Sequence, residues 1–542
     1  MVMDSKLTSP RMALATLLLS LSPTLFAAEV PPGTRLAAQQ EIVRGNGAEP
    51  STLDPQKVET NDASNIIVDL FDGLVQLDRA GKPQPGLAAS WDNRDNRVWT
   101  FHLRPNLQWS DGTPLTAHDV VFSWRRLADP KTGSPYASFV NYAHLEHAQA
   151  VIDGQLPVEK LGVTALDDST VQVTLSQPVG YFLQFVAHTS LFPVSEKHVR
   201  QYGDSWTRPG KMVSSGAYSL DDWVVNEKIV LTRNPRYWNN DKTVIERVSF
   251  LPIADAAAEV NRFRSGEIGI TSVIPAEQYA QMQQQHPDEV VNSPVQAVFY
   301  YQFNTEKAPF NDVRVRQALN LAIDKNIIAQ KVTAKGQLPA DAVLPLTMGE
   351  IHLRPPAWAA ESQDARTARA KALLAEAGFT AAHPLRFTLL YNIAGDNQRI
   401  AIAVASMWKK TLGAQVKLQN QEWKTMVDVM HSGQFDVVRY TWGADYDEPS
   451  SFLNTFRTGD SQNLSRYRSQ AFDEAVAEAG KAATPAGAQA WYQKASDIIG
   501  NDMPVIPIVY SMRNQLVRSD IGGFWSSPMG LYFTRDLYVK AR

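Results

Sequence analysis

The chain has 542 residues, which predicts about three to five folding units, since a domain usually has roughly 100–200 residues. Its 52 Lys and Arg residues and 56 Asp and Glu residues give a formal net charge of −4, so no basic excess favours nucleic acid as a partner. Cysteine is absent, which excludes disulfides, thiolate metal sites, a cysteine nucleophile and the acylated cysteine that tethers bacterial lipoproteins to a membrane.

The N-terminal segment has the pattern of a secretory signal peptide. Lys6 and Arg11 precede an apolar run at 12–28, which two serines and a proline interrupt. This run is too short and too interrupted for a transmembrane helix, which needs about 20 predominantly apolar residues. We expect a signal peptide at 1–27, cleaved after Ala27, and an exported protein that is not embedded in a membrane and resides in the periplasm. An uncleaved N-terminal anchor is the alternative.

Beyond this segment, short strand-like runs alternate with amphipathic helices, which predicts a mixed α/β fold. The spacing predicts a strand at 98–103 and a helix at 117–128, which Thr116 is placed to cap and Asp129 to end. In chain order, further strands are predicted at 169–175, 228–232, 296–303, 385–390, 415–418, 436–442 and 505–509. Further helices are predicted at 312–328, 365–377, 399–412 and 470–482.

The sequence carries no motif of a zinc protease, a serine hydrolase, a nucleotide-binding loop or a calcium-binding loop. The segment HLEH at 144–147 brings two histidines and a glutamate together, but its spacing fits a surface charge cluster better than a metal site. The sequence therefore predicts a protein that is not an enzyme and that needs neither a metal nor a cofactor.

Five aromatic residues lie in polar segments that follow strands, where side chains would line a cleft: Tyr136, Tyr300, Trp423, Trp442 and Tyr446. Rings that stack on many kinds of side chain and offer one hydrogen bond suit a broad ligand pocket. For each ring taken alone, a place in the core is the alternative.

The segment RYTWGADYDEPSSF at 439–452 is the most specific local feature. Its last two acidic residues, Asp447 and Glu448, precede a helix predicted to begin at Pro449, where negative charge stabilises the helix N-terminus. Asp445 lies further from that helix and follows two small residues that let a ligand approach the backbone.

An enclosed carboxylate at Asp445, walled by Trp442 and Tyr446, would lose its water unless a cation met it. An ammonium group about 4 Å from this carboxylate has a Coulomb attraction on the order of 4 kcal/mol at an effective dielectric constant near 20, against about 1 kcal/mol in bulk water. Asp445 is therefore the candidate residue for binding an amine.

Four long segments resemble the periplasmic oligopeptide-binding proteins of ABC importers, which belong to the bacterial extracellular solute-binding proteins of family 5. The branch also includes the murein-peptide-binding protein. The resemblance covers essentially the whole chain after the signal peptide, and the segments that carry it are 103–139, 214–240, 304–325 and 405–425.

The resemblance implies an α/β periplasmic-binding-protein (Venus flytrap) fold, with two lobes and an extra α/β domain. Lobe I would comprise 28–71, 193–294 and 512–542. The extra domain II would be 72–192, and lobe II (domain III) would be 295–511. The two crossings between the lobes, near 295–298 and 510–513, would serve as the hinge.

The resemblance also implies a monomer that encloses short peptides between its lobes and delivers them to an inner-membrane ABC permease. A peptide would lie there as an extended strand, with its backbone hydrogen-bonded to both sides and its side chains in hydrated pockets. In the family the aspartate of the motif ADYDEP binds the free α-amine, which implies this role for Asp445. The other site residues that the resemblance implies are Tyr136, Trp442, Gly443, Arg439, Trp423, Tyr300, Glu59, Thr60 and Asn61.

Some of these positions carry alternatives or departures from the family pattern. A structural salt bridge is the alternative role for Glu59 and for Arg439. Gln302 stands where relatives can carry an acidic residue, which puts one contact between the lobes in doubt.

The far end of the cavity also departs from that pattern. Oligopeptide-binding relatives bring basic side chains to the positions of Thr333, Asn397 and Met430, where they meet ligand carboxylates, whereas all three are uncharged here. Lys335 and Arg399 lie close by in the sequence and are candidates to replace them. Murein-peptide relatives have an arginine at the position of Met430, which argues against a strict copy of that specificity.

The ligand therefore stays open between general oligopeptides, a murein tripeptide and another peptide-like solute. Readings of a different class are an exported peptidase and a peptide-binding chaperone or sensor subunit.

Overall fold

The computed structural model describes residues 28–542 except 59, 393–395, 461 and 483. The predicted signal peptide at 1–27 lies outside the described residues. The described part forms a mixed α/β molecule with two four-stranded sheets, one six-stranded sheet and three two-stranded pairs. Within this part of the chain, no helix is long and apolar enough to cross a membrane.

The first sheet joins segments that are distant in the sequence. Its N-terminal strand pairs in parallel with Arg247–Leu251, and the other neighbours are antiparallel. The strand order is Glu41–Gly45, Arg247–Leu251, Lys228–Arg233 and Tyr218–Val224. The helices of this part are Asn61–Leu70, Glu196–Tyr202, Ala256–Arg264 and Ala276–Gln285.

The second sheet is antiparallel, and the helix Ala117–Ala128 packs on it. In this helix Trp124 is fully buried and donates its indole N–H to the carbonyl of Leu191 at 2.9 Å. The Asp119 carboxylate accepts the backbone N–H of Thr116 at 3.0 Å, one half of a capping box. The strand order is Ala88–Arg94, Val98–Leu103, Thr170–Thr174 and Val163–Asp167. Shorter elements of this part are the strands Val75–Leu77 and Pro83–Pro85 and the helices Phe139–Tyr142, Ala148–Ile152 and Phe182–Val186.

The third sheet has six strands, antiparallel at one edge and parallel at the other. The strand order is Leu338–Pro339, Val505–Leu516, Val290–Phe303, Val437–Gly443, Arg386–Asn392 and Gln415–Gln421. The helices around it are Val313–Leu321, Lys325–Ile327, Gln363–Glu376, Asn397–Leu412, Trp423–Ser432, Ser450–Leu453, Gln470–Gly480 and Pro485–Asp502.

The connections contain short additional elements. Two small antiparallel pairs are formed by Thr347–Met348 with Ile351–His352 and by Ile521–Gly522 with Tyr538–Val539. A π-helical turn spans Ile328–Thr333. The 3₁₀ turns are Pro130–Thr132, Val158–Lys160, Thr189–Leu191, Gly203–Ser205, Asn240–Lys242, Ala357–Ala360, Asn454–Phe456 and Thr534–Asp536.

The buried apolar side chains divide the molecule into two parts. The first and second sheets share one continuous apolar cluster. The third sheet has separate clusters, one around Trp408 and another around Tyr492. We refer to the part that carries the first two sheets as the first body, and to the part that carries the third sheet as the second body.

Two long strands connect these bodies. Val290–Phe303 and Val505–Leu516 pair from one end to the other, but their register is interrupted between Pro294 and Val298. Both strands are longer than the predicted 296–303 and 505–509. The prediction misses the first residues of Val290–Phe303 because they are mostly half-exposed and lack an apolar run. The interruption coincides with the predicted crossing at 295–298.

One predicted helix is wrong in its extent. The run 312–328 forms Val313–Leu321 and then a separate turn at Lys325–Ile327. The Asp324 carboxylate starts this turn by accepting the backbone N–H of Ile327 at 3.2 Å. The other predicted helices, and the strands apart from the two long ones, are confirmed with ends within three residues of their predicted positions.

A buried ion pair joins three distant segments of the first body. The Arg44 guanidinium lies 3.3 Å from the Asp69 carboxylate and 4.0 Å from the centroid of the Tyr532 ring, and both charged side chains are about 99% shielded from solvent. Asp69 also accepts the backbone N–H of Thr534 at 2.9 Å. The strand at the N-terminus, the first helix and the C-terminal segment therefore meet at Asp69.

The variant Asp69→Ala is expected to lower the free energy of unfolding by about 3–5 kcal/mol, because it leaves Arg44 buried without its charge partner. Chemical denaturation followed by circular dichroism measures this loss. The control Glu196→Ala removes the carboxylate of an exposed pair with Arg200, which is expected to cost at most about 1 kcal/mol. Equal losses in the two variants would contradict the structural role of Asp69.

Candidate ligand-binding site

A cavity of about 110 Å³ lies between the two bodies, beside the end of the strand Val437–Gly443. Among the described residues of the second body, Ala444 and Asp445 line it. The lining from the first body includes Thr60, Asn61, Tyr136, His188, Met529 and Leu531. The cavity therefore exists only where the two bodies approach each other.

Asp445 provides the charge of this cavity. Its backbone N–H donates to Ser451 Oγ at 2.9 Å, which fixes the turn, and its Oδ1 accepts the Tyr136 hydroxyl at 3.3 Å across the gap between the bodies. Among the described residues, no basic side chain forms a salt bridge with this carboxylate. Burial raises the pKa of Asp445 to about 7, although the hydrogen bond from Tyr136 opposes the rise. A cationic group of a ligand would supply the missing charge.

The two neighbouring acidic residues are occupied by groups of the chain itself. Asp447 accepts the backbone N–H of Gly349 at 2.7 Å and a side-chain N–H of Gln296. Glu448 accepts the backbone N–H of Ser450 at 2.8 Å, at the start of the helix Ser450–Leu453, and burial raises its pKa to about 7. Asp447 therefore fixes a loop rather than the helix N-terminus, whereas Glu448 has the predicted place.

The predicted site residues near Asp445 fall into two groups. Tyr136, Thr60 and Asn61 line the cavity, whereas Glu59 lies outside the described residues. Trp442 donates its indole N–H to the carbonyl of Ser451 at 2.8 Å and thus supports the turn that carries Asp445. The backbone of Gly443, next to Trp442, is exposed.

Arg439 lies four residues before Gly443 on the same strand and is half-buried. It donates to Asn392 Oδ1 at 3.3 Å and to Thr441 Oγ1 at 2.7 Å, and its guanidinium lies 4.8 Å from the centroid of the Phe299 ring. Within the described part of the chain its Nε has no hydrogen-bond partner and no carboxylate lies within 4.0 Å. Burial lowers the pKa of Arg439 to about 10. The salt bridge that was the alternative role of Arg439 is therefore not formed with any described residue.

The remaining predicted residues lie away from this cavity. Trp423 is 43% exposed and stacks on Tyr440 with 6.1 Å between ring centroids, so it offers a free ring face at the surface. Tyr300, in contrast, is 2% exposed and packs against Tyr440 and Phe456 in the core. Gln302 is also buried, and among the described residues its Nε2 has no partner.

The uncharged residues at the predicted far end have structural contacts. Met430 is 1% exposed and packs in an apolar cluster with Phe435. Asn397 donates to the carbonyl of Asn392, and Thr333 donates to the carbonyl of Ala329 at 3.1 Å. The structure therefore places Met430 in the core and gives Asn397 and Thr333 the role of holding the backbone.

The two candidate replacement cations, Lys335 and Arg399, meet at one carboxylate. Lys335 lies 2.8 Å from Asp396, and Arg399 contacts the same carboxylate. Arg399 also lies 3.1 Å from Glu277, on a helix of the first body. Two cations are thus matched by two carboxylates, and this group has no net charge to offer a ligand.

Several of these residues could not be identified from the sequence. His188, Met529 and Leu531 reach the cavity from loops without a recognisable motif, and Asp396 acquires its role only through contacts across the fold. Among the described residues no three His, Asp or Glu side chains are grouped so as to hold a metal ion.

Comparison with known proteins identifies the class. Residues 82–463 match the family described as bacterial extracellular solute-binding proteins, family 5, middle region. The chain belongs to the bacterial extracellular solute-binding proteins of family 5, as its sequence motifs predicted. The predicted α/β periplasmic-binding-protein fold is confirmed by the structural matches that follow.

Three similar proteins illustrate the relationship. The periplasmic oligopeptide-binding protein OppA of Salmonella typhimurium is 48% identical over 515 residues, which cover 95% of each chain. The structure of the Escherichia coli murein tripeptide-binding protein MppA superposes with a TM-score of 0.87 at 42% identity, covering 94% of this chain and 100% of that one. The structure of Haemophilus influenzae OppA in complex with the peptide RPPGFSPFR gives a TM-score of 0.84 at 41% identity, with coverage of 94% and 100%.

Proposed function

We propose that this protein captures short peptides with a free α-amine in the periplasm and delivers them, without catalysis, to an ABC permease of the inner membrane. The observation that carries the proposal is the enclosed Asp445 carboxylate, which faces a cavity and has no cationic partner among the described residues. Relatives named for binding oligopeptides and murein peptides support it. The N-terminal signal pattern supports export, and the protein acts as a monomer.

In this proposal the first body comprises lobe I and the extra domain, and the second body is lobe II. We assign 28–71, 193–294 and 512–542 to lobe I, 72–192 to the extra domain and 295–511 to lobe II. The sheets support this division, since each of the three large sheets has most of its residues within one of these units. The register interruption between Pro294 and Val298 supports a hinge at the crossings.

The protein captures a peptide because the peptide binds the closed state more tightly than the open state. In the closed arrangement without ligand, the Asp445 carboxylate loses water and, among the described residues, gains the Tyr136 hydroxyl but no cation. A peptide ammonium removes this cost by pairing with the carboxylate in a site of low dielectric. The ligand therefore stabilises closure at the point where the bodies meet.

Arg439 complements Asp445 from within the strand Val437–Gly443, which ends just before Asp445. Its guanidinium is half-buried and lacks a carboxylate among the described residues, whereas Lys335 and Arg399 are neutralised by Asp396 and Glu277. Arg439 is therefore an uncompensated cation that a ligand carboxylate can meet. This arrangement favours peptides short enough to place their C-terminus at Arg439.

Binding of a murein tripeptide is the second candidate, which the TM-score of 0.87 with MppA supports. The core position of Met430 removes one charged contact that the family resemblance implies for such a ligand. Incubation with a mixed peptide pool and a murein tripeptide, followed by native mass spectrometry, separates the candidates. Intact short peptides retained by the protein support the proposal, whereas shortened peptides in solution would indicate a peptidase.

Asp445→Ala is expected to weaken the binding of free peptides by about 2–5 kcal/mol, the usual cost of removing one partner of a buried charge pair. N-acetylation of the peptide should weaken binding to the parent protein comparably and have little further effect in the variant. Isothermal titration calorimetry measures all four combinations. The control Asp460→Asn weakens a different contact between the bodies, from the Tyr142 hydroxyl at 3.2 Å, and should affect free and acetylated peptides equally. Equal affinity of the parent for both peptides would refute the amine-binding role.

The ligand-free protein is expected to be more closed at pH 5 than at pH 7.5. Burial raises the pKa of Asp445 to about 7 from 3.8, the value of a solvated aspartate, which we assign to the open state, so the cost of closing is absent below pH 3.8, grows between the two values and is complete above pH 7. At its full extent it is about 4 kcal/mol, since a tenfold change in proton affinity corresponds to roughly 1.4 kcal/mol. Small-angle X-ray scattering measures the radius of gyration at the two pH values. In Asp445→Asn this part of the pH response should vanish, and an unchanged response in the variant would contradict the assignment.

Amidation of the peptide C-terminus should weaken binding to the parent protein, because Arg439 then meets a neutral group instead of a carboxylate. The expected loss is at least tenfold, the lower range for a charge-assisted contact. In Arg439→Gln, calorimetry should find little difference between the free and amidated peptides. A parent protein that is indifferent to amidation would show that Arg439 has a structural role only.

A further inference from the structure

Tyr446 follows Asp445 directly in the chain but packs into the opposite body. Its ring is 2% exposed and belongs to the apolar cluster of the first and second sheets, although its backbone belongs to lobe II. The ring centroid lies 4.1 Å from that of Phe185 and 6.2 Å from that of Phe139. It also lies 6.2 Å from the centroid of Tyr181, with only 8° between the ring planes. One side chain of lobe II thus completes an aromatic cluster of the extra domain.

The same short helix holds both Tyr446 and Asp445. The Tyr446 hydroxyl is hydrogen-bonded to Ser450 Oγ at 2.9 Å, and the Asp445 backbone N–H donates to Ser451 Oγ at 2.9 Å. Because Ser450 and Ser451 open the helix Ser450–Leu453, the carboxylate and the ring move together with this turn. A displacement of the Tyr446 ring therefore also displaces the Asp445 carboxylate.

The two side chains meet the extra domain at neighbouring places. Asp445 reaches the Tyr136 hydroxyl at 3.3 Å, and the Tyr136 ring lies 6.1 Å from that of Phe139, a member of the aromatic cluster. Opening of the lobes separates the Tyr446 ring from Phe139, Phe185 and Tyr181 and exposes apolar surface on both sides. The ring thus favours the closed state without touching the ligand cavity, whose lining does not include Tyr446.

We propose that Tyr446 is a positioning residue that couples amine capture at Asp445 to the docking of lobe II on the extra domain. The inference rests on the proposed peptide-binding function. Apparent affinity depends on the fraction of molecules in the binding-competent state. The ring therefore contributes to peptide affinity through closure, whereas Asp445 contributes through direct contact.

Tyr446→Ala should weaken the binding of a free tripeptide roughly 10- to 100-fold, the range expected for losing one buried aromatic contact. The loss should appear mainly as faster dissociation in stopped-flow measurements. Small-angle scattering at saturating peptide should show a larger radius of gyration than for the parent protein. Tyr446→Phe keeps the ring and should retain at least most of the peptide affinity of the parent protein. Tyr446→Leu should lose less affinity than Tyr446→Ala and more than Tyr446→Phe.

The ratio of affinities for free and N-acetylated peptide separates positioning from damage to the Asp445 site. Positioning predicts that this ratio stays at the parent value in Tyr446→Ala, whereas it falls in Asp445 variants. The inference would be overturned if Tyr446→Ala bound the free peptide as tightly as the parent protein does. It would also be overturned if the ratio of affinities fell to one in this variant while the protein still closed on the peptide. Circular dichroism checks folding, and Tyr446→Leu provides the same comparison if the alanine variant does not fold. Absence of peptide binding by the parent protein would instead refute the proposed function.

Discussion

A carboxylate that leaves water must either gain a compensating partner or take up a proton, and this constraint organises the region where the two bodies meet. Asp445 is held by its own backbone against Ser451 and receives a neutral hydroxyl from Tyr136. A neutral donor compensates a buried negative charge only in part, as the raised pKa of Asp445 shows. The closed form without ligand is therefore electrostatically incomplete, and in the proposed function a positively charged ligand completes it.

The charges around this site are arranged so that few of them are available to a ligand. Asp447 and Glu448 are next to Asp445 in the sequence, yet backbone N–H groups occupy both. Lys335 and Arg399 share Asp396 in the same way. Asp445 and the half-buried Arg439 lack an ionic partner among the described residues, and together they complement the two ends of a short zwitterion.

Local sequence patterns predicted those elements whose stability is itself local. The helix Ala117–Ala128 was predicted with its bounds because apolar spacing, N-cap and terminator all lie within the segment. The run 312–328 has apolar residues on both sides of 324–326, but the Asp324 carboxylate starts a separate turn there and Lys325 is buried. The connecting strands extend beyond the predicted runs because residues 290–296 are half-exposed or exposed and residues 511–515 are mostly polar, so neither segment carries an apolar pattern, yet the two pair with each other.

The candidate site was predictable in part for a related reason. Asp445 could be selected because the small residues before it and the helix after it are visible in the sequence. The neutralisation of Lys335 and Arg399, and the core position of Met430, depend on side chains that only the fold brings together. Tyr446 illustrates both cases, since its place beside Asp445 is visible in the sequence but its aromatic partners belong to the first body.

The central claim concerns the charge that Asp445 meets when the lobes close. A crystal structure of the protein with the ligand that co-purifies from the periplasm tests it most directly. The account predicts a ligand ammonium nitrogen about 2.7–2.9 Å from an Asp445 carboxylate oxygen, the distance of a charge-assisted hydrogen bond. A carboxylate that faces open water in that complex, or bonds only to groups of its own chain, would contradict it.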